Sequence, residues 1–496
     1  MKRLIHFIPV CILLFSSCDS YILTIKEETH YLKHSNEFLH SIEVRSDLPT
    51  CGSFEVSEKM AAHYVETIKG HLTIKSIEPY NYDGITCFYI INFDEGWMIV
   101  AADERILPII ADSDKDNLYF KETDNEGIKA WLASQAEIIA SYKRSNVIGY
   151  DQDLVIMWEN IKKIQSETVG KSLDPEGATW VKITLPPTTN ISYYTEVDHL
   201  IETKWGQGSK WNCSLPTIPT NAPGDTSRFL TGCVPTAIAQ LLYYSHNNTG
   251  YPNDLFHSLD PSLINQGNYY SIYLNKNYYT VNSPRWSSMP LTKNSSGNFY
   301  YASDLMLDIG SRMGAKYTSN STSVTFINNS TQPTIVLNPC GISAYRTNYD
   351  SSSSTIALIR ADLLNEKPLF IESLDNNNLE IANGHFWIID GIGIRSITTT
   401  TNAVYYIYQP GVLYPPGAQF LSDSDVLPYY PYAYDGMAVI DSQVSTYSDY
   451  LLMNYGWNVN LDEGRYSANI STNPDWANNL VYNTTLYYNM TVGQLN

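Results

Sequence analysis

The sequence predicts an α+β architecture in two parts: a small N-terminal domain and a larger, strand-rich C-terminal one. Three observations carry this. The 496 residues exceed what one ordinary core organises. Between residues 55 and 145 the apolar residues switch from helical to strand spacing and back. From about residue 196 Tyr, Asn and Ser become dense and strand-like runs dominate, with one helix-like run at 233–244. Hydrophobic residues make up 43% and charged ones 17%, which excludes a largely disordered chain. The formal charge of −20 repels phosphate backbones and argues against nucleic acid as a partner.

In chain order, the first element is an export signal. Lys2 and Arg3 precede the apolar run Leu4–Phe15, which is short of the ~20 residues a spanning helix needs. Ser16-Ser17-Cys18 then resembles a bacterial lipobox, with Cys18 as the lipidated residue after cleavage; Phe15 fits that pattern less well than a small residue. Ordinary signal cleavage beside an incidental cysteine is the alternative. Residues 19–54 read as a linker. Residues 55–75 carry Met60, Ala61, Tyr64, Val65 and Ile68 at helical spacing. Cys87–Phe93 and Trp97–Ala102 are strand-like runs on either side of the tight turn Asp94-Glu95-Gly96, a hairpin. Residues 126–143 form an amphipathic helix with Ile128, Trp131, Leu132, Ile138 and Ile139 inward. Together 55–145 make the small α+β domain. Residues 146–195, with Lys171–Gly177 inside, read as an exposed connection open to proteolysis. Residues 196–496 form the large domain; the Ser/Thr runs 351–355 and 396–401 read as loop tips, and 467–496 has no assignment.

Four blocks in the large domain carry chemistry. In Thr231-Gly232-Cys233-Val234-Pro235-Thr236, Pro235 fits only the first turn of a helix, so Cys233 stands at or just before a helix N-terminus. Unpaired N–H groups there favour a thiolate, and Gly232 lets a substrate backbone approach. Asn383-Gly384-His385 opens a strand, 385–390, ended by Gly391. Asn454-Tyr455-Gly456-Trp457 follows an apolar pair, where an Asn and an aromatic ring could orient and shield an imidazole. Gln207 lies 26 residues before Cys233, and its amide can donate to a developing oxyanion. Taken singly, each block also reads as ordinary core or turn. The order Gln, Cys, His, Asn, with 152 residues between Cys233 and His385, is that of papain-like cysteine peptidases.

These blocks resemble the streptopain family of secreted bacterial cysteine peptidases. The resemblance runs from about residue 55 to 466: it includes Gly96–Arg105 with Pro108-Ile109-Ile110, similar to the family's propeptide, and Gly310–Met313 through Tyr317 to Ser321, similar to its substrate-side loop. It implies a papain-like catalytic domain over 196–496 and an inhibitory propeptide over 55–145 whose removal activates the enzyme. It implies Cys233 as nucleophile, His385 as general base and acid, and Gln207 as oxyanion donor. It carries Gly384 and Ser321 to backbone contacts with substrate, and Asn454 and Trp457 to support of the imidazole. Tyr455 stands where the family has Trp, Asn458 where Gly is common, and Pro235 where a small residue is usual. The implied partners are protein or peptide substrates, the chain's own propeptide and, through Cys18, a membrane; no metal or other cofactor is implied. The expected location is the outer membrane or periplasm, with the mature enzyme released if the anchor stays on the propeptide. Two other readings use the same residues: a binding lipoprotein that has lost turnover, with Tyr455 as the suspect, and an acyl or amide transferase.

Overall fold

The computed structural model describes residues 54–122, 125–144, most of 154–161, 178–215, 217–218, 227–249, 286–313, 315–317, 322–323, 332–338, 340–349, 352–374, 384–412, 418–421, 438–456, 464–468 and 484–492. The signal, Cys18, the 19–53 stretch, Ser321, Trp457 and Asn458 lie outside the described residues.

The N-terminal part opens with α1 (Glu58–Lys69), capped by the Ser57 hydroxyl, which accepts from the Met60 N–H at 3.3 Å. β1 (Ile74–Tyr82), β2 (Ile85–Phe93), β3 (Trp97–Ala101) and β4 (Ile109–Ser113) form an antiparallel meander, and the expected hairpin is the β2–β3 pair. α2 (Glu126–Arg144) covers the other face. Because successive strand residues point to opposite faces, Phe88, Ile90 and Ile99 pack toward α2 while Tyr89, Ile91, Met98 and Val100 pack toward α1. Met157, Trp158 and Ile161 join the α1 side.

The remainder comprises β5 (Trp180–Thr184), β6 (Thr188–Val197), α3 (Cys233–Thr249), α4 (Phe299–Arg312), the short pair β7 (Lys316–Tyr317) and β8 (Thr322–Ser323), α5 (Gln332–Leu337), β9 (Ile342–Asn348), α6 (Ser353–Leu364), β10 (Leu369–Leu374), β11 (Gly384–Ile407), β12 (Gln419–Leu421), β13 (Ala438–Asn454), β14 (Arg465–Ser467) and β15 (Thr484–Val492). Its strands run β14-β13-β11-β10-β15-β9, with β6 and β5 laid along the far part of β11 and β12 on β5. α3 and α4 pack together on one face around Trp205, Ile238, Leu242, Met306 and Ile309. The other face meets the N-terminal part. β4 pairs with β14, Asp112 opposite Arg465 and Ala111 opposite Tyr466, so one sheet runs through both parts.

Several sequence expectations are corrected. The strand begun at His385 does not stop at Gly391; it passes a register shift there and continues to Ile407. The Ser/Thr run 396–401 is therefore strand interior, not a loop tip, held between β13 and β6 with Thr189 and Thr399 hydroxyls 3.1 Å apart. The Ser/Thr run 351–355 starts a helix: Ser352 caps α6, accepting from the Thr355 N–H at 3.2 Å. Gly310-Ser311-Arg312 close α4 rather than opening a loop, because Ala302, Leu305, Met306 and Ile309 continue a helical stripe into the core. Within the expected connection, Trp180–Thr184 and Thr188–Val197 are paired strands rather than exposed chain. Lys171–Gly177, the stretch expected to be most exposed, lies outside the described residues. Within 467–496, β15 pairs with both β10 and β9.

Candidate active site

α3 begins at Cys233, with Pro235 in its first turn as the sequence required. Gly232 has φ +93°, a left-handed conformation that side chains resist, and this bend presents Cys233 at the helix start. Thr231 anchors the bend: its N–H donates to the Gln207 carbonyl at 2.9 Å, and its hydroxyl lies 3.0 Å from that of Thr236. Gln207 is thus tied two residues upstream of Cys233. Its side chain is buried, and the Nε2 donor has no hydrogen-bond partner among the described residues. A buried amide donor without a partner is costly in a resting fold, and this one is available to an incoming oxygen.

β11 carries His385 at its second residue, next to Gly384. The N–H groups of Phe386, Val234 and Cys233 act on the Cys233 thiol, so the residue after His385 meets the nucleophile helix directly. Burial nonetheless pushes the thiol up to about 11, and the Glu372 carboxylate adds to the rise. Burial likewise lowers His385 to about 4, against the pull of the Tyr455 carbonyl. Both shifts favour the neutral thiol and the neutral imidazole in this form.

At His385 the N-terminal part comes close through α2. Gly127 sits so close to the imidazole that a Cβ built there would be 2.5 Å from His385 Cδ2, 2.7 Å from His385 Nε2 and 2.4 Å from Tyr455 Cδ1. His385 Nε2 is 3.1 Å from the Tyr455 carbonyl oxygen. The Asn454 amide, expected on the imidazole, is engaged elsewhere. It forms a reciprocal pair with Gln240 at 3.2 Å, donates to the Thr203 carbonyl at 2.8 Å and accepts from the Gly456 N–H at 3.1 Å. Asp390 is no third member either: it faces His199 Nδ1 at 2.9 Å and the Ile201 N–H at 3.3 Å. The Tyr455 hydroxyl, which needed a partner, donates to Met453 Sδ at 3.2 Å, and its ring is buried between Trp387 and Tyr466. Sequence reasoning missed Gln240, Gly127 and Glu372. The signal for Gln240 was a lone amide in the apolar stretch 237–244; Gly127 and Glu372 carried none.

The two parts are locked by charge as well as by the shared sheet. Asp112 on β4 is 1% exposed and pairs with Arg395 of β11, itself fully buried. It also accepts from Arg465 Nε at 2.9 Å, Arg465 Nη2 at 2.6 Å and the Tyr193 hydroxyl at 2.7 Å. Arg395 Nη1 donates to the Ile109 carbonyl at 3.1 Å and Ser467 Oγ at 2.8 Å. Among the described residues Cys87, Cys213 and Cys233 form no disulfide.

The sequence profile of the peptidase C10 family matches residues 205–463, just over half of the chain. The profile of the Spi protease inhibitor matches residues 53–139. No curated protein matches the chain. Among solved structures, a fragment of Prevotella intermedia prointerpain A is similar at 16% identity, covering 85% of this chain and 100% of that one with a TM-score of 0.43. The active Prevotella intermedia interpain A cysteine protease is similar at 16% identity, 59% and 93% coverage and a TM-score of 0.31.

Proposed function

Because the chain belongs to the peptidase C10 family, we propose that Cys233 is its nucleophile, His385 its general base and acid, and Gln207 the side-chain donor to the oxyanion. The protein is a cysteine peptidase with an inhibitory propeptide, and it acts on protein substrates. The observation that carries the residue assignment is the meeting of β11 and α3: the Phe386 N–H acts on the Cys233 thiol while His385 precedes it on the same strand. In the reaction His385 takes the Cys233 proton and the thiolate attacks the scissile carbonyl. The oxyanion is held by the free Gln207 Nε2–H and the Cys233 N–H. The imidazolium then protonates the leaving amine, giving a thioester, and neutral His385 activates water to release the acid and restore the thiol. Gly232 and Gly384 flank the two reacting side chains and leave the backbone open to an extended substrate. To Ser321 and Trp457 the proposal gives the roles the family resemblance implies, substrate contact and shielding of the imidazole. Withdrawal of Gly127 frees His385 from the Tyr455 carbonyl, and hydration lets the thiolate–imidazolium pair form.

The test is to incubate the chain lacking residues 1–18 under reducing conditions beside a Cys233→Ala copy, following mass and casein hydrolysis. Loss of the N-terminal part and casein cleavage by the parent alone is the expected result. A parent freed of its propeptide that labels at Cys233 yet leaves casein intact refutes the assignment. The chain's route out of the cell is part of the same proposal: export on residues 1–18 and lipidation at Cys18 place the zymogen at the outer membrane or periplasm, and cleavage before β5 releases the mature enzyme. Support comes from the basic n-region, the apolar run and Ser16-Ser17-Cys18. Palmitate labelling lost in Cys18→Ser checks it; equal labelling of both chains refutes it.

A further inference from the structure

Glu372 lies on β10, and its register partner on β11 is Phe386, the residue after His385. Residues 370 and 372 of β10 and 386 and 388 of β11 share the sheet face on which α3 packs; Phe370, Phe386 and Ile388 belong to one core with Val234 and Ala237 of α3. The carboxylate therefore sits on the nucleophile's side of the sheet, one strand from the histidine. It is 4% exposed. The Tyr487 hydroxyl donates to Oε2 at 3.3 Å. No hydrogen bond to Oε1 is recorded among the described residues. Arg346, exposed on β9, tempers the charge and hydrogen-bonds to the Tyr487 hydroxyl.

An acid is an expensive occupant of this position. Its neighbours Phe370 and Phe386 are aromatic, its burial disfavours ionisation, and its charge opposes the thiolate that the reaction requires. A cation arriving with the substrate offsets the last two: it favours the ionised carboxylate and lifts its opposition to the Cys233 thiolate. We propose that Glu372 is a specificity-determining residue that receives a cationic group of the peptide substrate, an ammonium or guanidinium, beside the scissile bond. The proposal rests on the peptidase reading given above.

Its test uses the full chain processed and freed of its propeptide, with internally quenched peptides. One arginine is moved position by position through a neutral sequence, and each peptide is paired with a citrulline copy that keeps the shape without the charge. Free and acetylated N-termini form a second arm, separating a side-chain cation from an α-amino group. A charge-assisted contact predicts that at one position, or at the free amino terminus, the cation raises kcat/KM by about ten- to hundred-fold. Glu372→Gln should bring that ratio close to one. A wild-type ratio near one at every position, or a preference unchanged in Glu372→Gln, overturns the proposal. If Glu372→Gln fails to fold by circular dichroism, Glu372→Asp serves, with a reduced preference expected and an undiminished one overturning. Binding of the same peptide pairs to processed Cys233→Ala by fluorescence anisotropy carries the same ratio without turnover. Charge discrimination there with no hydrolysis by the parent supports the Glu372 assignment and refutes the peptidase reading instead.

Discussion

Gly127→Ala is the sharpest perturbation of latency. The added Cβ meets two rings at 2.4–2.7 Å, where carbon contacts are ordinarily near 3.5–4 Å. Neither ring can retreat freely: Tyr455 is 1% exposed and packed on Trp387 and Tyr466, and His385 is 4% exposed and stacked at 5.8 Å on Trp387. Overpacking of this kind costs about 1–3 kcal/mol. In the isolated propeptide nothing opposes the methyl, and Ala is favoured over Gly inside a helix by up to about 1 kcal/mol. The substitution therefore stabilises the free propeptide while weakening its docking by about 5- to 150-fold. The assay is the self-processing rate of the reduced chain, together with thermal unfolding of the same substitution in a Cys233→Ala background. Faster processing and a lower unfolding temperature are expected. Unchanged processing in a folded Gly127→Ala chain would refute the argument that α2 holds His385 by close contact.

Three further outcomes follow from the same geometry. Asp112→Asn leaves fully buried Arg395 without its counter-charge and should weaken propeptide docking by about 3–5 kcal/mol, read as faster processing; Asp112→Leu with Arg395→Met should recover part of the loss. Gln207→Ala in the processed enzyme should lower kcat by about 10²–10³ with little change in KM; a change confined to KM would remove the oxyanion role. The closed form keeps His385 neutral down to about 4, whereas an exposed imidazole titrates near 6.5, so protons bind the opened form first. Closure is thus fully stable above about 6.5 and loses about 3 kcal/mol as the pH falls toward 4. Propeptide release from nicked Cys233→Ala should accelerate across that window, and adding His385→Gln should flatten the profile; a profile identical with and without the imidazole contradicts it.

The fate of Asn454 shows why one-dimensional motifs and resting geometry diverge. The motif places Asn and His for mutual support, yet in the closed form the Asn amide is satisfied by Gln240 and Thr203 and the imidazole by the Tyr455 carbonyl. The residue that closes on the imidazole is a glycine more than 250 positions earlier in the chain. No local pattern marks it, since a glycine near a helix start is ordinary.

The sequence by itself determined the elements whose signals are local. Helix periodicity located α1 and α2, two short apolar runs around the turn Asp94-Glu95-Gly96 located the β2–β3 hairpin, and Pro235 after Gly232 put Cys233 at the start of α3. The ordered Gln, Cys, His and Asn blocks pointed to the chemistry because each residue type carries its reactivity with it. Tertiary structure alone decided the rest. Ser396–Thr401 has the composition of a loop but became strand interior once β13 and β6 offered ladders on both sides. Asp112 reads as a surface acid until β4 pairs with β14 and brings Arg395 and Arg465 onto it. The ionisation of Cys233 and His385 was equally beyond the sequence. A helix N-terminus favours a thiolate, but desolvation of the Cys233 thiol outweighs it, because removing a charge from water costs more than a few N–H groups return.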